Sequence, residues 1–166
     1  MTGRGKQRVL VIGYGNPARG DDGLGPAAAA EIESRAIPGV TVDADYQLTV
    51  EDSAAVADHD AVVFIDAAVE GEEPFGFHPL EPAPVAGVST HGIEPESVLG
   101  LSRDLFGAAT GAYVLANRGY DFAYFTETIT DRARENLKAA IAFIVPRLTD
   151  MAVNDTARPD VPSTRS

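Results

Sequence analysis

The stretch that decides the fold is "VLVIGYGNPARGDDGLG", residues 9–25. Its first half is a continuous apolar run, which is typical of a strand buried on both faces of a parallel sheet. Glycines then interrupt the chain, and two adjacent acids, Asp21 and Asp22, lie between them. Such a loop could cradle a phosphate, form a phospho-acceptor pocket, or present carboxylates to a metal.

Composition narrows the possible functions. The chain has 166 residues, which suits one domain with a single sizeable core, and 45% hydrophobic residues indicate a globular protein. A formal net charge of -12 argues against binding to nucleic acid or to an anionic membrane. The absence of cysteine excludes disulfides, thiolate ligands and a cysteine nucleophile, and it fits a cytoplasmic location.

Strand and helix patterns alternate along the chain. Strands are predicted at 8–15, 40–46, 61–67 and 112–119, with an edge strand at 75–80, and helices at 23–36, 49–57, 94–107 and 131–148. The segment 121–129 fits either a short strand or an extended loop. We predict an α/β fold in three layers, in which helices flank a twisted, mostly parallel five-stranded central sheet.

The predicted domain covers residues 8–148. Residues 1–7 are expected to be a loose N-terminus, and 149–166 a disordered tail. No secretory signal or membrane span is predicted, because the apolar run near the N-terminus is short and leads into glycines.

Three polar features follow predicted strands, and sites in such sheets lie at the carboxyl ends of the strands. They are the 13–22 loop, Asp66 after the third strand, and the loop that carries His91. Each has an ordinary structural explanation: Asp21 could cap a helix, Asp66 a turn, and a loop histidine is usually solvated. Their joint placement favours a functional site. His59 and His78 lack such a placement and are expected to be solvated.

Nucleotide binding fits the loop poorly. Its glycines stand at relative positions 1, 3 and 8, whereas the dinucleotide fingerprint requires 1, 3 and 6. Pro17 removes a backbone donor, and Asp21 and Asp22 have the wrong charge for a phosphate. A phospho-receiver domain shares an acidic pair and a later aspartate, but the late strand offers Arg118 where a lysine is required.

A metal site of mixed ligands is the third possibility. Asp22, Asp66 and His91 would supply two oxygens and one nitrogen, and would leave positions open for water or a substrate.

Three blocks of the sequence resemble the motifs of the hydrogenase maturation endopeptidases, which process the large subunit of nickel–iron hydrogenases. The blocks are "VLVIGYGNPARGDDGLG", "VVFIDAA" and "STHGIEPESVL", and the later "TETITDRARENLKAAIAFI" is similar to the closing helix of the family. The resemblance covers roughly residues 8 to 146. The segment 111–130 departs from the family pattern, which is richer there in glycine and proline.

The resemblance implies a function and a site. Family members remove a short C-terminal extension from the hydrogenase large-subunit precursor after nickel insertion. Asp22, Asp66 and His91 would contact nickel that belongs to the substrate, so no tightly bound cofactor is expected. The loop around Asp22 would be shaped by Gly13, Gly15, Asn16, Gly20, Asp21 and Gly23.

Hydrolysis by an activated water is the simplest mechanism for this residue set. Ser89 lies two residues from His91, which is weak support for a nucleophile and base pair. Asp22 or Asp66 would act as general base or as metal ligand. A nickel-sensing checkpoint that binds without cleaving is the alternative. The protein is expected to act as a monomer.

Overall fold

The computed structural model describes residues 7–85 and 92–153. The strands are β1 Val9–Tyr14, β2 Val40–Asp45, β3 Ala61–Ala68, β4 Phe75–Pro79 and β5 Gly111–Arg118. The helices are α1 Leu24–Ser34, α2 Asp52–Ala57, α3 Pro95–Phe106 and α4 Asp131–Val153, with a 3-10 turn at Gly20–Gly23 before α1.

The five strands form one sheet in the order β2-β1-β3-β5-β4. β1 pairs in parallel with β2 and β3, and β3 pairs in parallel with β5. β4 is antiparallel to β5 and forms an edge, where a proline at the strand end costs no ladder hydrogen bond. The predicted α/β fold with a mostly parallel five-stranded sheet is confirmed.

Helices cover both faces of this sheet, as the predicted three layers require. Alternate residues of β1 point to opposite faces: Val9 and Val11 pack in a cluster with residues of α1 and α4. Leu10 and Ile12 pack in a second cluster with residues of α2 and α3. Both clusters are buried, which explains the continuous apolar run at the start of the chain.

Two glycines let α1 approach the end of β1 closely. A Cβ added to Gly25 would lie 2.2 Å from the carbonyl oxygen of Tyr14. A Cβ on Gly13 would lie 2.2 Å from the carbonyl oxygen of Gly25. Any side chain at either position would push the helix away from the sheet, so these glycines fix where the 3-10 turn and Asp22 lie.

The end of the last helix was predicted wrongly. α4 continues past Leu148 to Val153, and Met151 and Ala152 are buried in the core. The predicted disordered tail is therefore wrong over 149–153, and 154–166 lie outside the described residues. Among residues 7–85 and 92–153, no helix combines the length and apolar character that a membrane crossing requires.

Candidate functional site

A cavity of about 580 Å³ opens at the carboxyl ends of β1 and β3. Its walls carry three carboxylates, Asp22, Asp66 and Glu94, and one guanidinium, that of Arg19. This set of charges disfavours a phosphate ligand, because the carboxylates would repel it. A cation fits the cavity better, and a neutral group can also enter it without being repelled.

Asp66 has one carboxylate oxygen without a partner. It lies inside β3, paired with Ala116, so the alternative explanation of Asp66 as a turn cap is wrong. The Tyr14 hydroxyl donates a hydrogen bond of 3.0 Å to Oδ2. Oδ1 is buried and accepts no hydrogen bond from any described residue. Buried polar atoms in native proteins are nearly always paired, so an unpaired one at a cavity wall marks a position where an ordered water or a ligand can bind.

The electrostatics of Asp66 agree with its geometry. Burial raises the pKa of its carboxyl to about 6, against the opposing effect of the Tyr14 hydrogen bond. The negative charges of Glu94 and Asp22 raise this pKa further. The ionised form is therefore poorly solvated, and a cation or a proton would stabilise it.

Asp22 reaches the same cavity through the 3-10 turn. The backbone N–H of Asn16 donates a hydrogen bond of 2.7 Å to its Oδ2. Asn16 is itself fixed, because its Oδ1 accepts a hydrogen bond of 2.9 Å from the N–H of Ala18. Gly15 has a φ of +146°, and a Cβ there would lie 2.0 Å from the carbonyl oxygen of Asp22. Gly15 and Asn16 together hold Asp22 in place.

Two further glycines of the loop make close contacts. A Cβ on Gly20, whose φ is +55°, would lie 2.5 Å from the carbonyl oxygen of Asp121. A Cβ on Gly23 would lie 3.1 Å from the Cα of Pro17. The loop therefore packs against residues 120–130, the segment between β5 and α4, which we call the 120–130 loop.

Asp21 lies outside the cavity walls and is fully buried. Its carboxylate accepts four hydrogen bonds, from the N–H groups of Tyr120, Asp121 and Thr130 and from the hydroxyl of Thr130. The possibility that Asp21 caps the helix of its own loop is wrong, since the 3-10 turn and α1 have no side-chain cap. Asp21 instead anchors the 120–130 loop.

Hydrogen bonding sets the pKa of Asp21. Burial by itself would raise that pKa, but the donors from Thr130, Tyr120 and Asp121 outweigh burial and lower it. Thr130 itself caps α4, because its Oγ1 accepts a hydrogen bond of 3.3 Å from the N–H of Ala133 in the first turn of that helix.

Arg19 is a cavity residue that the sequence analysis did not single out. Its Nε donates a hydrogen bond of 3.3 Å to the carbonyl oxygen of Phe122. Its guanidinium carbon lies 4.5 Å from the ring centroid of Tyr124, a cation–π distance. Arg19 is the only cation in the quoted loop, "GYGNPARGDDGLG", and that was the available indication.

Two of the three histidines, His59 and His78, lie among the described residues. His91 lies outside the described residues, while Glu94 of the same sequence block lines the cavity. His59 and His78 do not line it: His59 contacts the carbonyl oxygen of Ala55, and His78 contacts Glu72. Within the described ranges, no group of three His, Cys, Asp or Glu side chains is arranged to hold a metal.

Solved structures of known proteins share this architecture. The NiFe hydrogenase maturation protease HycI from Thermococcus kodakarensis matches with a TM-score of 0.67 at 24% identity, over 87% of this chain and 94% of that chain. The maturating endopeptidase HybD from E. coli matches with a TM-score of 0.64 at 18% identity, over 89% and 95%.

An endopeptidase from Escherichia coli, solved in solution, gives a TM-score of 0.68 at 20% identity, over 89% of this chain and 95% of that chain. The chain has the fold of the hydrogenase maturation proteases. No protein-family model matches it, and no curated protein matches its sequence. At these identities the likeness to solved structures establishes the fold, and the activity has to be argued from the site.

Proposed function

We propose that the protein is a hydrogenase maturation endopeptidase. It removes a short C-terminal extension from the nickel-loaded large-subunit precursor of a nickel–iron hydrogenase. The observation that carries the proposal is the buried, unpartnered Oδ1 of Asp66, which shares a cavity with Asp22 in a protein with the maturation-protease fold.

Nickel enters this scheme as part of the substrate. Asp22, Asp66 and His91 would contact it, and carboxylate with imidazole is a suitable ligand set for a first-row metal with open positions. A cation at Asp66 would compensate the poorly solvated charge that raises the pKa of this residue to about 6. The part played by His91 rests on the sequence motif alone.

Hydrolysis would then proceed by attack of water on the scissile carbonyl. Asp22 or Asp66 takes the proton from the attacking water as general base. The nickel of the substrate polarises the carbonyl or lowers the pKa of the bound water.

The experiment is co-expression of the protein with the large-subunit precursor, followed by intact mass measurement. Wild-type protein should convert the precursor to a lighter product. Asp22→Asn, Asp66→Asn and His91→Ala should each fold and leave the precursor mass unchanged. Asp58→Asn is the matched control, since Asp58 is exposed and lies near the amino end of β3, at the opposite edge of the sheet. Wild-type cleavage rates in Asp66→Asn would contradict the role of this carboxylate.

Two outcomes would separate related functions. Equal cleavage of metal-free and nickel-loaded precursor would contradict recognition through nickel. Tight binding of the precursor without any change in its mass would contradict the peptidase and support a nickel-sensing checkpoint.

A further inference from the structure

Two contacts hold the guanidinium of Arg19 in position, and they leave its Nη1 and Nη2 donors unused. The carbonyl oxygen of Phe122 takes its Nε–H, and the ring of Tyr124 stacks on the guanidinium. No described residue accepts a hydrogen bond from Nη1 or Nη2, and no described carboxylate forms an ion pair with Arg19. As far as residues 7–85 and 92–153 are concerned, its two outer nitrogens are thus available to a ligand in the cavity.

The two contacts that hold Arg19 come from the 120–130 loop. Thr126 forms a parallel bridge with Arg19, and its N–H donates a hydrogen bond of 3.0 Å to the carbonyl oxygen of Ala18. Asp21 fixes both ends of this loop through its hydrogen bonds to Tyr120 and Thr130. A planar guanidinium supported in this way is pre-organised, so little entropy is lost when it binds a ligand oxygen.

The charge of the cavity indicates which kind of oxygen Arg19 would bind. Three carboxylates on the walls oppose the entry of a substrate group that is already anionic. A peptide carbonyl enters as a neutral group and becomes negative only when water attacks it. A cation placed for that oxygen stabilises the transition state more than the ground state, and this difference is what accelerates a reaction.

We propose that Arg19 is a catalytic residue that binds the oxygen of the scissile carbonyl and stabilises its developing negative charge. This role rests on the proposed peptidase function. Attack of water forms a C–O bond, moves the carbonyl π electrons to the oxygen, and sends a proton to a cavity carboxylate. Collapse then restores the carbonyl and breaks the C–N bond, and the leaving amine takes that proton. The guanidinium donates hydrogen bonds throughout and keeps its own protons.

The test measures single-turnover cleavage of nickel-loaded precursor by the full chain at saturating enzyme. Arg19→Gln should lower the maximal rate by about 100-fold to 1,000-fold, the usual effect of losing one oxyanion donor, with little change in affinity for the precursor. Arg19→Lys should retain part of the rate, because lysine keeps the charge but lacks the planar fork. Added guanidinium at millimolar concentration should partly restore the rate of Arg19→Ala, which a purely structural role would not allow.

Arg35→Gln is the matched control, because Arg35 is an exposed arginine just beyond α1 that forms an ion pair with Glu31 of that helix and with no other described residue. It should cleave at the wild-type rate. An undiminished maximal rate in Arg19→Gln, or a loss confined to precursor affinity, would overturn the role of Arg19 and leave the peptidase intact. Failure of the wild-type protein to cleave would overturn both proposals.

Discussion

Asp21 and Asp66 are both withdrawn from water, yet their surroundings differ. Asp21 accepts four hydrogen bonds, and these bring its pKa below the usual value in spite of burial. Asp66 accepts one hydrogen bond from Tyr14 and keeps a buried oxygen without a partner among the described residues, and burial raises its pKa to about 6. Desolvation opposes ionisation at both positions, and the number of donors decides the result.

The comparison distinguishes a structural aspartate from a candidate functional one. A buried carboxylate whose oxygens are all satisfied stabilises the fold, here by tying the 120–130 loop to the turn before α1. A buried carboxylate left unsatisfied destabilises the fold, and such residues are found at functional sites. Asp21 therefore belongs to the framework, whereas the proposed function gives Asp66 a role in the chemistry, although both belong to motif blocks of the same resemblance.

The largest effect should follow removal of the satisfied carboxylate. Asp21→Ala leaves several buried donors without an acceptor, and we expect a loss of about 4 kcal/mol in the free energy of unfolding. Urea denaturation measures it. Asp121→Ala, which removes an exposed carboxylate from the same loop, should cost less than about 1 kcal/mol. Equal losses of unfolding free energy in the two variants would contradict the structural role assigned to Asp21.

Acid should act on Asp21 in a defined direction. Its pKa is lower in the folded state than in the unfolded chain. Ionisation of Asp21 therefore stabilises the protein at pH values above the pKa of the unfolded chain. This stability is lost as the pH falls through the folded pKa. The difference in unfolding free energy between wild type and Asp21→Asn should therefore be larger at neutral pH than in acid, as urea titrations across pH can determine. A constant difference would contradict the prediction.

The opposite sign is expected for the unsatisfied carboxylate. The folded pKa of Asp66, about 6, exceeds the unfolded value, so its charge destabilises the protein at neutral pH. Removal of this charge should raise the free energy of unfolding at pH 7. We expect a net gain in Asp66→Asn of only on the order of 1 kcal/mol, because the new amide leaves a buried donor unpaired and this offsets part of the gain. The gain should shrink as the pH falls from about 6 to about 4 and the wild-type carboxyl becomes protonated. Thermal unfolding at several pH values tests this, and a loss of stability at pH 7 would assign Asp66 to the framework.

The smallest effect concerns the single donor to Asp66. Tyr14→Phe removes the hydroxyl that stabilises the ionised form, so the pKa of Asp66 should rise above its wild-type value. NMR titration of the carboxyl carbon measures this shift. The unfolding free energy should fall by about 1 kcal/mol or less, the usual effect of one hydrogen bond. An unchanged pKa would show that Tyr14 does not control this carboxylate.

The parts of the candidate site that depend on local pattern could be located from the sequence. The apolar runs at β1 and β3 placed Asp22 and Asp66 near the same edge of the sheet, because parallel strands end there together. The structure puts both residues on the walls of one cavity. The helical periodicity of Ile144 and Leu148 continues at Met151 and Ala152, so the true end of α4 could also have been found.

The remaining features depend on contacts between distant parts of the chain. The partners of Asp21 lie 99 to 109 residues away, and no local pattern specifies them. The orientation of Arg19 depends on Phe122 and Tyr124 in the 120–130 loop, which belongs to the segment that departs from the family pattern. A glycine-rich loop with two aspartates indicates a carboxylate site, but only the fold shows which aspartate faces the cavity.

The central claim is that Asp66 serves hydrolysis of a nickel-loaded precursor. The most direct measurement is the intact mass of purified, nickel-loaded large-subunit precursor after incubation with wild-type protein or with Asp66→Asn. We predict loss of the C-terminal extension with the wild type and an unchanged mass with the variant, which should be folded and at least as stable. Cleavage by Asp66→Asn at the wild-type rate, or an unchanged precursor mass with the wild type, would contradict the claim.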